Sequence, residues 1–391
     1  MSVGIYISVP FCRSKCSFCN FASDVFSRDK MDNYVSRIES EIAGAEHLAA
    51  EMCAQLDKPV DTIYIGGGTP STLAPAQLQR IFNAVHNQLE TLTGAEVTVE
   101  CAPGTLRPDI LDALVQSGTN RVSLGAQSFI DRETAAVGRL HTAAQTMADI
   151  ARLRERGIAN INLDLIAGLP HQTAASWRES LEQVIASGVP HLSVYILEVD
   201  EDSRLGRELV AGGARYHAHH VPDPDMAAEL YLEAIDLLAA AGIFQYEISN
   251  FARPGFESRH NLKYWTRQPY LGFGLDAHSM LPTLNPSSRC ESVRFSNTDD
   301  LAKYLSGNFA VNQTVIDHHQ AAEEQLFLGL RLNRGIDRDR VNPVKETLAE
   351  IEDLISLGLL ERNSTNLRLT SRGRLLSNEV FERFISAEKV S

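Results

Sequence analysis

The chain has 391 residues, 44% hydrophobic and 22% charged, enough for one large globular domain and a smaller one. A net charge of -14 opposes broad adhesion to phosphate backbones or anionic lipid, so no nucleic-acid partner is expected. The start lacks the basic flank and apolar stretch of a secretion signal, and no apolar run is long enough to cross a bilayer. The expectation is therefore a cytoplasmic protein with no integral membrane segment.

Taken in chain order, apolar, β-rich runs at 4–9, 62–65, 97–100, 121–126, 161–165 and 192–197 predict six strands. Apolar positions at helical spacing predict helices over 32–51, 75–89, 109–116, 142–156 and 176–187. Repeated strand, helix, strand order implies a parallel sheet, and six units are too few to close an eight-unit barrel. The predicted fold is α/β, an open, partial (β/α)6 TIM-like barrel over 1–235, with an open doubly wound sheet as the alternative. After Glu198 the rhythm fades. His217, His219 and His220 read as a solvated loop rather than a metal site, and a helix follows over 225–241. A Gly, Pro and aromatic-rich stretch belongs to a connecting section, 236–310. The remainder, 311–391, shows two helices, a hairpin-like 367–370 and another helix, the pattern of an α+β, winged-helix-like module.

Polar and glycine residues that a buried sheet does not need gather where the strands end. Strand two runs into Gly66, Gly67, Gly68, Thr69 and Pro70; strand three ends at Glu100, strand four passes into Gln127, and strand five carries Asp164. Barrel active sites form at that edge. Behind strand one lies Cys12-x3-Cys16-x2-Cys19, while Cys53, Cys101 and Cys290 are isolated, so the cysteines do not make a disulfide framework. Three thiolates on one loop can hold three irons of a four-iron, four-sulfur (4Fe-4S) cubane and leave the fourth open, whereas structural zinc wants four closed ligands. The interleaved Phe11, Phe18 and Phe21 either limit water access or are plain core. The glycine run is either a flexible turn or a backbone that approaches a ligand closely.

Cys12-x3-Cys16-x2-Cys19, Gly66-Gly67-Gly68-Thr69-Pro70, Arg121-Val-Ser-Leu-Gly-Ala-Gln127-Ser-Phe129, Gly138-Arg139-Leu140-His141 and Asp164-Leu-Ile-Ala-Gly168-Leu-Pro170 together resemble the radical S-adenosylmethionine (SAM) proteins of the oxygen-independent coproporphyrinogen oxidase group. The likeness spans nearly the whole chain. It implies a 4Fe-4S cluster on Cys12, Cys16 and Cys19, with the open iron taking the amino and carboxylate groups of SAM. It also implies an electron donor if SAM is cleaved. By the same resemblance Tyr6, Phe18, Gly67, Gly68, Thr69, Glu100, Gln127, Arg139 and Asp164 contact SAM. The alternative for Glu100 and Asp164 is a buried ion pair with Arg121 or Arg139.

Within that group the likeness is to the heme chaperone branch rather than to the oxidase. Phe21 stands where oxidases carry one more cysteine, strand one begins almost at Met1 where they carry an extension, and His260-Asn261-Leu262-Lys263-Tyr264-Trp265 matches an element of that branch linked to heme. The resemblance implies heme as cargo and an unidentified heme-acceptor protein, without coproporphyrinogen III oxidase activity; the alternative is that oxidase, which converts propionates to vinyl groups. His260 is the expected heme contact, Tyr264 and Trp265 would pack on the porphyrin, and Arg253, Arg259 or Arg267 would pair with propionates. Tyr264 and Trp265 read equally as core. Cys101, Ala102 and Asp276 depart from the group's pattern outside the cluster motif.

Overall fold

Six strands, β1 (Val3–Val9), β2 (Val60–Gly67), β3 (Thr91–Cys101), β4 (Arg121–Gln127), β5 (Asn160–Ala167) and β6 (His191–Ile196), pair in parallel and in chain order. The computed structural model describes residues 2–20, 22–23, 25, 27–56, 59–285, 290–307, 310–337 and 345–385, so Met1, Phe21 and the stretch past 385 lie outside the described residues. Helices α1 (Arg28–Ala43) and α2 (Ala45–Glu51) connect β1 to β2, α3 (Pro75–Gln88) connects β2 to β3, and α4 (Pro108–Gln116) connects β3 to β4. Next, α5 (Asp131–Ala136) and α6 (Ala143–Glu155) lead to β5, and α7 (Ala174–Ser187) to β6. Strands that follow one another without a reversal of order, joined by right-handed crossovers, collect their helices on one face and curl into part of a barrel. A doubly wound sheet requires a reversal, and this sheet has none within β1 to β6. The helix expected over 32–51 is two helices, broken at Gly44, whose N–H turns back to the carbonyls of Ser40 and Glu41.

Alternate residues of a strand face opposite sides of the sheet. Ile5, Ile7, Ile63, Ile65, Val97, Val99, Val122, Leu124, Leu163 and Leu192 are almost fully buried and join one apolar core with α1, α3, α4, α6 and α7. The intervening positions, Tyr6, Tyr64, Thr98, Glu100, Ser123, Asn162, Asp164 and Ser193, stand in register with one another across β1 to β6. The barrel interior is consequently polar.

The section after β6 does more than connect. Helices α8 (Arg204–Ala211) and α9 (Pro224–Ala240) are followed by β7 (Phe244–Glu247) and β8 (Asn250–Ala252), which adds antiparallel to β6. Helix α10 (Arg259–Trp265) then leads to β9 (Tyr270–Phe273), parallel to β1 on the opposite edge. Beyond it lie β10 (His278–Pro282), β11 (Cys290–Asn297), α11 (Leu301–Ser306) and β12 (Ala310–Asp317), completing a 12-stranded sheet. The C-terminal module comprises α12 (His318–Leu330), β13 (Ile336–Asp337), α13 (Lys345–Ser356), β14 (Leu360–Arg362), β15 (Asn366–Leu369), α14 (Ser371–Leu375) and α15 (Ser377–Glu382). Its three strands form a separate antiparallel sheet, and Leu330, Leu354, Leu360, Leu367 and Val380 form a core of their own, as a winged-helix-like α+β module requires. No helix among the described residues is long and apolar enough to cross a membrane.

The chain crosses the N-terminal end of the barrel through α10. Ser258 caps the helix by accepting from Asn261 N–H, and the buried Glu96 carboxylate accepts from the N–H groups of Arg259 and His260, each at 3.0 Å. Close docking needs Gly4, because a Cβ there would lie 2.8 Å from Lys263 Cδ and from Thr62 Oγ1. Lys263, itself buried, pairs with Asp61 at 2.8 Å. Glu96→Ala leaves the buried His260 amide and the part-buried Arg259 amide without this acceptor, at about 1–3 kcal/mol for the former and less for the latter. The variant should unfold at clearly lower denaturant than wild type, with Glu96→Gln in between; equal midpoints would show that Glu96 does not clamp α10.

Candidate functional site

The cysteine loop is stapled on three sides. Val9 O accepts from Gly68 N–H at 2.9 Å and Phe11 O from Thr69 N–H at 2.7 Å, tying it to the glycine loop after β2. Ser17 N–H donates to Val137 O and Ser17 O accepts from Leu205 N–H, tying it to the end of α5 and to α8. The first of these contacts sets the glycine run: a Cβ on Gly68 would lie 2.7 Å from Val9 O and 2.9 Å from Phe11 N. Within the loop Cys16 is buried, and Thr69 Oγ1 donates toward Cys12 Sγ at 3.7 Å, while Ser23 Oγ lies 3.9 Å from Cys19 Sγ. Burial pushes the Cys16 thiol up, partly offset by the Arg139 cation. Phe18 packs beside a small cluster of Val137, Ile166 and Leu169 at the barrel rim, and Phe11 is core, edge-on to Tyr34.

Deeper in the barrel, Glu100 accepts from Tyr64 OH at 2.7 Å and from Gly67 N–H at 3.1 Å. Gly66 leaves room for it, since a Cβ there would lie 2.8 Å from the carboxyl carbon. Asp164 accepts from Asn162 Nδ2 at 2.7 Å and Ser123 Oγ at 3.1 Å. Burial raises both carboxyls, Glu100 to about 7, and Asp164 adds to the rise of Glu100. Among the described residues no ion pair within 4.0 Å joins either of them to Arg121 or Arg139. Hydrogen bonds hold these carboxylates where a salt bridge was the alternative expectation. Arg121, 1% exposed, and Arg139 each bury an Nε that has no hydrogen-bond partner. The Arg139 guanidinium lies over Gly125, with nitrogens 3.3 and 3.4 Å from where a Cβ would stand. Gln127 ends β4 at a bulge with a φ of +67°.

Two hollows flank the cysteine loop. One of about 300 Å³ is lined by Tyr6, Gly67, Ser23, Tyr264 and Asp276; one of about 100 Å³ is lined by Thr69, Ala102 and Arg139. The expected SAM contacts are thus divided between these hollows and the barrel interior. The amides of Gly67, Gly68 and Thr69 are already spent within the protein and the Thr69 carbonyl accepts from Thr72, which leaves the carbonyls of Gly67 and Gly68 as the groups to offer a ligand.

The expected heme contacts are placed differently from the expectation. His260 is 1% exposed at the opposite end of the barrel from the cysteines, its Nδ1 2.8 Å from Thr62 Oγ1 and its Nε2 2.9 Å from Tyr264 OH. With its ring also stacked on Tyr64, it has no nitrogen left for iron, and burial beside Lys263 and Arg121 lowers its pKa to about 3. Trp265 points elsewhere, under the Arg331 guanidinium at 4.2 Å. Arg267 pairs with Glu324 at 2.9 Å and Glu291 at 2.7 Å, and Arg259 donates to Gly94 O at 2.8 Å.

One grouping was not legible in the sequence. His171, just after β5, meets His217 and His220, their ligand nitrogens within 4.8 Å, so two of the histidines read as a solvated loop are packed together. Arg132 lies 3.1 Å from His171 Nδ1, and the pKa of that imidazole is lowered by burial and by this cation, which also opposes a metal ion.

A partial parallel barrel with three thiols on the loop after its first strand defines the radical SAM class, and the Radical SAM superfamily matches residues 6–184 while the HemN C-terminal domain matches residues 316–376. Within that class the chain belongs to the HemW family. It is 32% identical to the heme chaperone HemW of Lactococcus lactis subsp. lactis over 97% of this chain and 96% of that one, and 32% identical to that of Bacillus subtilis over 97% and 98%. The coproporphyrinogen III oxidase HemN of Escherichia coli, a solved structure, shares the fold with a TM-score of 0.82 at 24% identity over 98% of this chain and 90% of that one.

The class implies a 4Fe-4S cluster and SAM, and the residues fit both. Two sulfurs on one zinc, at about 2.3 Å each, stand at most ~4.6 Å apart. Among the described residues the three cysteine sulfurs are not gathered within 4.8 Å of one another, as the ligands of a single ion would be. Two buried carboxylates on which Arg121 acts only from beyond ion-pair distance, and two guanidinium Nε atoms without an acceptor, suit a zwitterionic, hydroxyl-bearing ligand.

Because Glu100 titrates near 7 when folded against an ordinary 4.5, the folded protein holds its proton more tightly than the unfolded chain. Its contribution to stability is complete below the ordinary value and is lost as pH rises through about 7. Glu100→Gln should therefore melt close to wild type near pH 5 and above it near pH 8, by an amount on the order of 1–3 kcal/mol. A gap that stays the same at both pH values would refute the raised pKa.

Proposed function

We propose that this protein binds heme and delivers it to an acceptor protein, on a radical SAM frame that carries one 4Fe-4S cluster and SAM, in the cytoplasm. The observation that carries the reading is end-to-end similarity, 32% over 97% of the chain, to proteins named heme chaperones. In this reading Cys12, Cys16 and Cys19 hold the cluster. Glu100 and Asp164 take the ammonium or ribose hydroxyls of SAM, Arg139 its carboxylate, and Tyr6, Phe18, Gln127, Thr69 and the carbonyls of Gly67 and Gly68 complete the site. When bound and reduced, the cluster and SAM supply a radical generator, which needs an outside electron donor. What the chain's own residues do is bind and orient, and exclude water through Phe18 and its apolar neighbours.

The proposed division is a core over 1–235, a connecting section over 236–310 and a C-terminal module over 311–391; its boundaries fall within α9 and β12, and β12 pairs with β11, so native protease cuts at the junction of β12 and α12 would place the start of the module at α12.

Two measurements on one anaerobic preparation test the function. Heme titration should give a saturable spectral change, while coproporphyrinogen III with SAM and reductant should remain unconverted; turnover to protoporphyrinogen IX at enzymatic rates would replace the chaperone by an oxidase. Cys16→Ala should lose the cluster's visible absorbance. A variant that stayed brown with full iron content would remove Cys16 from the ligand set.

A further inference from the structure

We propose that heme is held in a cavity between α10, α12 and the C-terminal sheet, with His319 as the protein ligand to its iron. The inference rests on the reading of the protein as a heme binder and names the site for it. The cavity measures about 640 Å³, inside the range of roughly 300–1,000 Å³ for small-molecule sites and the largest of the hollows described. Trp265, Leu326, Ile336 and Phe384 supply apolar wall, and His319 and Arg334 stand among the polar lining. A porphyrin needs flat apolar surface, an iron ligand and a cation for its propionates, and all three are present here.

His319 is built as a ligand where His260 is not. It sits in the first turn of α12 with its side chain 56% exposed, and its Nδ1 faces Glu323 Oε1 at 3.5 Å one turn further on. A carboxylate at one imidazole nitrogen is the usual companion of a metal-binding histidine, because it fixes the tautomer and turns the other nitrogen outward. Nε2 of His319 is then the atom left for iron. His260, by contrast, has both nitrogens engaged at 2.8 and 2.9 Å under the barrel.

Trp265 gives a second, independent pointer. Its Nε1 is buried and has no hydrogen-bond partner. Arg331 covers the indole at 4.2 Å but does not line the cavity, whereas Trp265 does. What Trp265 offers the cavity is its indole ring, a flat apolar wall on which a porphyrin can pack. The His-Asn-x-x-Tyr-Trp element then acts at its two ends: His260 anchors α10 against the barrel, and Trp265 forms the wall of the heme site.

The test is a ferric heme titration of the full chain, followed in the Soret band, on wild type, His319→Ala, His318→Ala and Glu323→Gln, with circular dichroism to confirm folding. His319 is at the surface, so its variant should fold. His319→Ala should shift the Soret maximum and weaken binding by more than the roughly tenfold that loss of an outer partner such as Glu323 costs a metal site. His318→Ala, which removes the other imidazole lining the cavity, should keep the Soret maximum. Wild-type affinity and spectrum in His319→Ala, or a loss confined to His318→Ala, overturns the site and leaves the chaperone reading standing. Wild type that takes up no heme overturns both.

Discussion

The parallel register of β1 to β6 is the constraint on which everything else depends. Apolar residues at alternate positions bury against the surrounding helices, and that burial commits the positions between them to the interior of the barrel. A slip of one residue would turn Glu100 and Asp164 into the helix layer and bring valines and isoleucines inside. Hydrophobic burial thus places the polar chemistry without any polar group having to attract another.

The interior so created is polar and under-compensated. Glu100 and Asp164 are satisfied by hydrogen bonds, with Arg121 acting on both only from beyond ion-pair distance, and Arg121 and Arg139 each keep an Nε unpaired. Buried groups of this kind cost stability, and the raised Glu100 is the thermodynamic trace of that cost. A bound molecule carrying an ammonium, a carboxylate and hydroxyls would relieve it. Small residues make the arrangement possible at the points where it is tightest: Gly66 admits the Glu100 carboxylate, Gly125 the Arg139 guanidinium, and Gly68 the backbone of the cysteine loop.

Helix α10 joins the two cores of the molecule. One end is buried against β1, β2 and β3 through His260, Lys263 and Glu96, and the other reaches α12 and the C-terminal module through Trp265 and Arg331. One short motif therefore serves the barrel and its neighbour with different residues.

Much was legible from local pattern. Apolar alternation and helical spacing report which conformation a segment adopts and which face it buries, so the six strands, the thiols behind the first and the carboxylates at the strand ends could be read directly. Pairing is a different matter. β7 to β12 are short or irregular in pattern, and only contact with β6 on one side and β1 on the other makes them strands of the same sheet. The sequence likewise could not say that the two nitrogens of His260 are taken by Thr62 and Tyr264, that the glycine amides are spent on Val9 and Glu100, or that His171 would meet His217 and His220. Residue type and spacing determined what chemistry this chain carries; tertiary packing alone decided which of those groups remain free to use it, because a hydrogen-bonding group is consumed by whichever partner the fold brings to it across long stretches of chain.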